Sequence, residues 1–145
     1  IIKLHNPELS EEEVRRRSVD AIKMVGIPDA EGIYDRYPHE VSGGQCQRAA
    51  IARALAIQPK FLICDEATSA LDVTIQKEIL DLLSSLRKEF SLSILFICHD
   101  IALVQQFCDR VLVMYRGEIV EDGVPDEVVS SPQNEYTRRL IESIL

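Results

Sequence analysis

The chain has 145 residues, of which 46% are hydrophobic and 28% charged, and its formal net charge is −8 at pH 7. This length suits one domain or two small lobes, and the composition is that of a globular protein. The acidic balance disfavours a nucleic-acid partner, but backbone amides can still hold a nucleotide. Four cysteines without a CxxC pair predict reduced thiols in a cytosolic protein, without a zinc site. No apolar run approaches the ~20 residues of a membrane helix.

Helices are predicted first along the chain. Ser10 and Glu13 have the spacing of a capping box, and apolar residues then recur on one face until Gly26, which is placed to end the helix. Residues 27–40 are predicted to be irregular, with one short helical turn. A helix rich in small residues is predicted over residues 44–56.

Strands and helices alternate through the remainder. Two apolar runs have the form of strands buried on both faces, namely residues 61–64 and 93–98. Apolar spacing predicts helices at 75–90 and 101–108. A hairpin is predicted around Tyr115-Arg116-Gly117, and two short helices are predicted after Pro125. This alternation predicts an α/β layered fold.

Asp65 and Glu66 directly follow the first predicted strand. Ligands of α/β sheets bind at the carboxyl ends of strands. There one carboxylate can hold a magnesium ion with its waters, and the other can activate a water molecule. A strand that simply ends in polar residues is an equally good interpretation of this pair taken by itself.

Val41-Ser42-Gly43-Gly44-Gln45 precedes the small-residue helix. Two glycines and a serine let backbone amides and a hydroxyl approach an anion at a helix amino terminus. Taken by itself, the pentapeptide is better explained as a serine-capped loop.

Four segments follow one another along the chain: residues 41–45, Asp65-Glu66, Ser69-Ala70-Leu71-Asp72 and His99. Their order and spacing resemble the signature loop, the Walker B pair, the D-loop and the switch histidine of the ABC ATPase family. Further segments are similar to the peptide/nickel-importer subfamily, whose ATPases energise uptake of peptides or nickel; they are Tyr37-Pro38-His39-Glu40, Asp72-Val73-Thr74-Ile75-Gln76 and Pro132-Gln133-Asn134-Glu135-Tyr136-Thr137.

The resemblance implies a role for each matching residue. Asp65 would be the magnesium carboxylate, Glu66 the general base and His99 a contact to the γ-phosphate of ATP. Asp72 would communicate across the interface with a second ATP-binding subunit. The residues that would face a nucleotide held mainly by that partner are Ser42, Gly43, Gly44 and Gln45. His5 and His39 are expected on the surface.

The sequence has no GxxxxGK[ST] phosphate loop. The resemblance therefore implies part of a P-loop NTPase core sheet with a helical subdomain, and we expect the chain to be a carboxy-terminal piece that is close to inactive by itself. The expected boundaries are a helical signature subdomain at 1–57, the ATPase core at 58–124 and the start of a carboxy-terminal extension at 125–145. Cys46 stands where this subfamily usually has arginine.

The implied partners are a membrane permease and, indirectly, a solute-binding protein, so the location implied is the cytoplasmic face of the cell membrane. Two alternatives stay open. An ABC ATPase of DNA repair or translation would share the motifs, although the acidic balance disfavours it. A regulatory module would keep the partner-facing signature loop without catalysis.

Overall fold

A computed structural model describes residues 1–68 and 71–143. The chain divides into two compact units, Ile1–Leu95 and Phe96–Leu145, which are described separately. The described helices and strands, in chain order, are α1 (Ile2–His5), α2 (Glu11–Met24), α3 (Ala30–Tyr34), a 3₁₀ turn (Pro38–Glu40), α4 (Gly43–Leu55), β1 (Phe61–Asp65), α5 (Val73–Phe90), β2 (Ser93–Ile97), α6 (Ile101–Phe107), β3 (Val111–Tyr115), β4 (Glu118–Gly123), α7 (Pro125–Ser130) and α8 (Glu135–Glu142).

The first unit is built on three long helices, α2, α4 and α5. The side chain of Ser10 caps α2 by accepting from the N–H of Glu13 at 3.2 Å, as the sequence predicts. Val25, Ile79 and Leu83 are completely buried, and they form the centre of this unit's apolar core. The periodic apolar residues of the sequence therefore become the packed faces of these helices.

The segment 27–40 is more regular than predicted. It contains both α3 and the 3₁₀ turn, where one helical turn was expected. Asp29 caps α3 by accepting from the N–H of Gly32, and Arg15 of α2 binds the carboxylate of Asp35 through two hydrogen bonds of 2.9 Å. This link to α2 supports a helix that is too short to form by itself.

Strands β1 and β2 are neighbours in a two-stranded sheet. The prediction that they are buried on both faces is wrong. In β1, Leu62 and Cys64 are buried but Phe61 and Ile63 are 55% and 59% exposed; in β2, Leu95 and Ile97 are also exposed. Successive strand side chains point to opposite faces, and the described residues cover only one face of β1. The apolar runs did predict the strands themselves.

The second unit contains the predicted hairpin. Strands β3 and β4 pair antiparallel, with Tyr115 opposite Glu118 and a bulge between Val113 and Met114. The two-residue turn is formed by Arg116 at φ 50° and Gly117 at φ 86°. Two successive positive φ values characterise the type I′ turn, which matches the twist of hairpin strands.

Helix α8 is attached to the hairpin at its first turn. The carboxylate of Glu121 on β4 accepts from the backbone N–H groups of Gln133 and Asn134 at 2.8 and 3.0 Å. The ring of Tyr136 stacks on that of Tyr115 with centroids 4.1 Å apart. These contacts give the segment Pro132–Thr137, singled out in the sequence, a structural role. Among the described residues, no helix is long and apolar enough to cross a membrane.

Candidate functional site

The Ser42–Gln45 loop forms the amino terminus of α4 through a reciprocal pair of hydrogen bonds. The hydroxyl oxygen of Ser42 accepts from the N–H of Gln45 at 3.2 Å, and the side-chain oxygen of Gln45 accepts from the N–H of Ser42 at 2.9 Å. This capping box uses acceptor atoms of both side chains. The serine hydroxyl proton and the glutamine amide hydrogens are left as donors, which suits an anionic ligand.

The first two residues of α4 are the glycines of this loop. Gly43 is exposed and Gly44 is half-buried. Their N–H groups belong to the first turn of a helix, so they have no carbonyl partner within it. The positive end of the helix dipole lies at the same place. The loop therefore collects several hydrogen-bond donors and a favourable field for a phosphate group.

The loop lies against the start of α5. A Cβ placed on Gly43 would stand 3.8 Å from Cδ2 of Leu71, and one placed on Gly44 would stand 3.0 Å from Cγ2 of Ile75. Asp72 caps α5 by accepting from the N–H groups of Thr74 and Ile75 at 3.1 and 3.0 Å. The structure thus brings the predicted signature loop beside Asp72, two features separated by 27 to 30 positions in sequence.

Buried Thr68 bonds to one residue on each side of Asp72. Its carbonyl accepts from the N–H of Leu71 at 3.2 Å, and its hydroxyl accepts from the side-chain amide of Gln76 at 3.4 Å. The predicted D-loop residues Ser69 and Ala70 lie outside the described residues. Thr68 is only 3% exposed, and these two bonds link it to Leu71 and to the first turns of α5.

Asp65 and Glu66 lie at the carboxyl end of β1, as expected. Asp65 is the last residue of the strand, and both side chains are exposed. Glu66 has φ 47°, in the left-handed region that residues other than glycine seldom adopt. Such a conformation costs of order 1–3 kcal/mol and concentrates at functional sites.

A magnesium ion at Asp65 would have one protein carboxylate and would complete its shell with water and phosphate oxygens. No group of three or more metal-ligating side chains occurs among residues 1–68 and 71–143. Magnesium commonly binds through one or two carboxylates together with substrate phosphates. The exposed carboxylate at a strand end fits that mode of binding.

His99 follows β2 and belongs to the second unit. Its side chain is exposed, and the next residue, Asp100, caps α6 by accepting from the N–H of Leu103 at 3.2 Å. The thiol of Cys98 donates to the carbonyl of Asp100 at 3.6 Å. His99 therefore sits in a turn fixed from both sides, and its contact with a γ-phosphate stays a prediction.

Sequence reasoning missed Arg48, which lies one helical turn after Gly44. Its side chain is only 19% exposed, and its guanidinium bonds to the C-cap residue of α2 and to a residue of α5. An arginine in the middle of a helix made of small residues was the available signal. The positively charged side chain of Arg48 thus lies between helices of the unit that carries the candidate site.

Comparison with known proteins supports the resemblance to ABC ATPases that the sequence motifs indicate. An ABC transporter family model matches residues 3–69. The chain is 48% identical over 143 residues to the oligopeptide transport ATP-binding protein OppF of Escherichia coli, which is 99% of this chain and 42% of that protein. It is also 48% identical over 137 residues to OppD of Bacillus subtilis, covering 94% of this chain and 38% of that one.

Among solved structures, the dimeric structure of MJ0796, a bacterial ABC transporter cassette, matches with a TM-score of 0.68 and 33% identity, over 81% of this chain and 49% of that one. A post-hydrolysis state of MJ0796 bound to ADP and Pi matches equally well. The chain spans less than half the length of these relatives. Residues 3–69 therefore carry an ABC transporter domain match, and nearly the whole chain is similar to part of the ATP-binding subunits of that family.

Proposed function

We propose that the chain is the part of an ATP-hydrolysing subunit that supplies the catalytic carboxylate to one nucleotide and the signature loop to another. The observation that carries this proposal is the placement of the Ser42–Gln45 loop beside Asp72, within a unit that also presents Asp65 and Glu66 at a strand end. The relatives' names add transport of peptides, which we propose as the process that hydrolysis drives.

The residues of the chain would divide the work as follows. Asp65 would hold the magnesium ion, which supplies neutralisation of phosphate charge. Glu66 would orient the attacking water and accept its proton, while His99 would contact the γ-phosphate. Donors of the Ser42–Gln45 loop would bind the γ-phosphate of ATP held mainly by a second subunit, which the dimeric cassette structure supports.

Import of peptides further requires a membrane permease, so we propose that the intact subunit is peripheral to the membrane. The permease and a solute-binding protein would select the solute, which makes nickel the alternative cargo within the same subfamily. The competing proposal is a module without catalysis that keeps only the partner-facing loop.

The test is Glu66→Gln in the intact subunit. The amide keeps the shape of the carboxylate but cannot accept a proton, so we expect turnover to fall by about 10²–10⁴-fold with ATP binding unchanged. Glu89→Gln, an exposed position at the end of α5, is the matched control and should leave turnover unchanged. Turnover of the Glu66 variant within a few fold of the parent would remove Glu66 from this role.

The proposal that hydrolysis drives peptide uptake needs a separate measurement. The intact subunit, reconstituted with its permease in vesicles, should take up a labelled oligopeptide only when ATP is present. Uptake of nickel without uptake of peptide would replace the cargo, and wild-type ATP turnover that is indistinguishable from background would favour the module without catalysis.

A further inference from the structure

Arg48 joins three helices of the first unit. Its side chain is only 19% exposed, although the ion pair it forms lies at the surface. Nη1 donates to the backbone carbonyl of Val25 at 2.8 Å, and Nη2 donates to Oε2 of Glu78 at 3.1 Å. Val25 is the C-cap residue that follows α2, Glu78 lies in α5, and Arg48 itself lies in α4. The fork of one arginine thus serves two separate elements.

The bond to Val25 closes the carboxyl end of α2. The last carbonyls of a helix have no partner within it, and they carry the negative end of the helix dipole. A cation is well suited to that position. Gly26 follows at φ 74°, and a Cβ placed there would stand 3.2 Å from Nη1 of Arg48. The glycine therefore both ends the helix and admits the arginine.

The bond to Glu78 lies beside the contact of the loop with α5. Gly44 and Arg48 are four residues apart on α4, and Ile75 and Glu78 are three apart on α5, so each pair shares a helix face. Gly44 packs against Ile75 while Arg48 binds Glu78. Two neighbouring contacts, one apolar and one ionic, set how far α4 can slide or turn along α5.

We infer that Arg48 is a positioning residue, which holds the Ser42–Gln45 loop in register with the start of α5 at Asp72. The inference rests on the proposed function, because that function makes both features face a shared nucleotide site. Arg48 itself would touch neither the nucleotide nor the reacting atoms. Its loss would leave the donors of the loop present but misplaced, and a misplacement of about 1 Å can cost about 10²-fold in rate.

The first experiment measures the loop directly, in the intact subunit without nucleotide. Arg48→Met removes both hydrogen bonds, and Arg48→Lys keeps the charge but loses the fork. Arg53→Met is the matched control, because Arg53 is an exposed arginine of the same helix. We expect hydrogen exchange of the hydrogen-bonded amides in the loop and at the start of α5 to quicken by about tenfold in Arg48→Met; they are those of Ser42, Gln45, Thr74 and Ile75. We expect a smaller increase in Arg48→Lys and none in Arg53→Met.

A purely structural role would loosen the unit everywhere. The amides around Leu83, at the centre of the core, report on that possibility, and they should exchange at the parent rate in Arg48→Lys. Uniform acceleration over the whole first unit, or unchanged exchange in the loop, would overturn the inference. Arg48→Lys keeps the test decisive if Arg48→Met fails to fold.

The second experiment uses the intact subunit. Arg48→Lys should lower kcat by about tenfold, while the affinity of the isolated subunit for ATP is unchanged. Glu78→Gln keeps an acceptor oxygen for Arg48 and should lower kcat less than Glu78→Ala does. An effect on ATP affinity of the same size as that on kcat, or equal effects of the two Glu78 variants, would contradict the assignment.

Glu66→Gln separates the two ideas. If it lowers turnover and Arg48→Lys does not, only the positioning role of Arg48 fails. If Glu66→Gln leaves turnover unchanged, the proposed function fails, and the exchange measurements still decide whether Arg48 fixes the loop.

Discussion

Gly44 of α4 lies directly against Ile75 of α5, so close that a Cβ on Gly44 would stand 3.0 Å from Cγ2 of Ile75. Helices normally keep their axes 8–10 Å apart, at distances that depend on the side chains in contact. A glycine at this point allows the first turn of α4 to approach the start of α5. The close approach, and not an unusual φ angle, is what requires glycine here.

This contact predicts the effect of a side chain at position 44. In the intact subunit, Gly44→Asp should abolish ATP hydrolysis, because the carboxylate would enter the space of Ile75 and would repel a phosphate. The affinity of the isolated subunit for ATP should be nearly normal, as equilibrium titration can measure. A large loss of affinity would mean that the loop serves the nucleotide of its own subunit.

A smaller substitution tests the packing itself. Gly44→Ala should move Ile75 by a few tenths of an ångström, and the double variant Gly44→Ala/Ile75→Ala should remove the clash. Chemical denaturation of the parent, Gly44→Ala, Ile75→Ala and the double variant gives the coupling energy between the two positions. For residues in direct contact we expect a coupling of about 0.5–3 kcal/mol; purely additive effects would show that the two residues do not compete for space.

The hairpin turn predicts a backbone effect at Gly117. Its φ is 86°, and nothing lies within 4 Å of a Cβ placed there, so a substitution changes only the backbone energy. Gly117→Ala should lower the free energy of unfolding by about 1 kcal/mol. Gly117→Asn should cost less, because asparagine tolerates the left-handed region. Circular dichroism of urea unfolding would measure both, and equal costs would contradict the turn geometry.

Glu121 gives a pH dependence. Partial burial opposes its charge. The neighbouring hydroxyl of Thr137, the N–H groups of Gln133 and Asn134 and the charge of Arg138 together outweigh that effect and hold the pKa of Glu121 below its ordinary value. The folded pKa is therefore lower than the unfolded one, so Glu121 stabilises the protein above the unfolded pKa of about 4.3 and loses this contribution as pH falls through the lower, folded value.

Glu121→Gln should remove this contribution, with a loss of about 1 kcal/mol at pH 7 because the site is partly solvated. The loss should shrink on acidification below pH 4, as urea unfolding at several pH values would reveal. Glu118→Gln, an exposed position on the same strand, is the control and should change little. A difference between Glu121→Gln and the parent that is constant from pH 7 to pH 3 would refute the assignment.

The cysteines should differ in reactivity. Cys64 is buried in β1, and burial raises the pKa of its thiol to about 11, so about one part in a thousand is thiolate at pH 8. Cys46 is half-buried on α4. In the native chain at pH 8, we expect a maleimide to label Cys46 well before Cys64, as peptide mass spectrometry can resolve. Cys46→Ser supplies the control, and fast labelling of Cys64 would show that β1 opens readily.

Local patterns in the sequence predicted the helices and strands because their causes are local. The capping residues Ser10 and Ser42 and the turn glycine Gly117 each act within four positions of the chain, and each appears where expected. The segment 27–40 was predicted less well, because α3 depends on Arg15 of another helix. A pattern read along the chain does not contain such a partner.

The sequence by itself determined the order of the elements, the two carboxylates at the end of β1 and the resemblance of the motifs, since each depends on residue type and spacing. Only the tertiary structure decided that one face of β1 is covered, that the Ser42–Gln45 loop meets α5 at Ile75, and that Arg48 joins α2 to α5. These depend on contacts between residues up to 31 positions apart, from Gly44 to Ile75. Side-chain packing determines these contacts, and no local preference of the backbone encodes that packing.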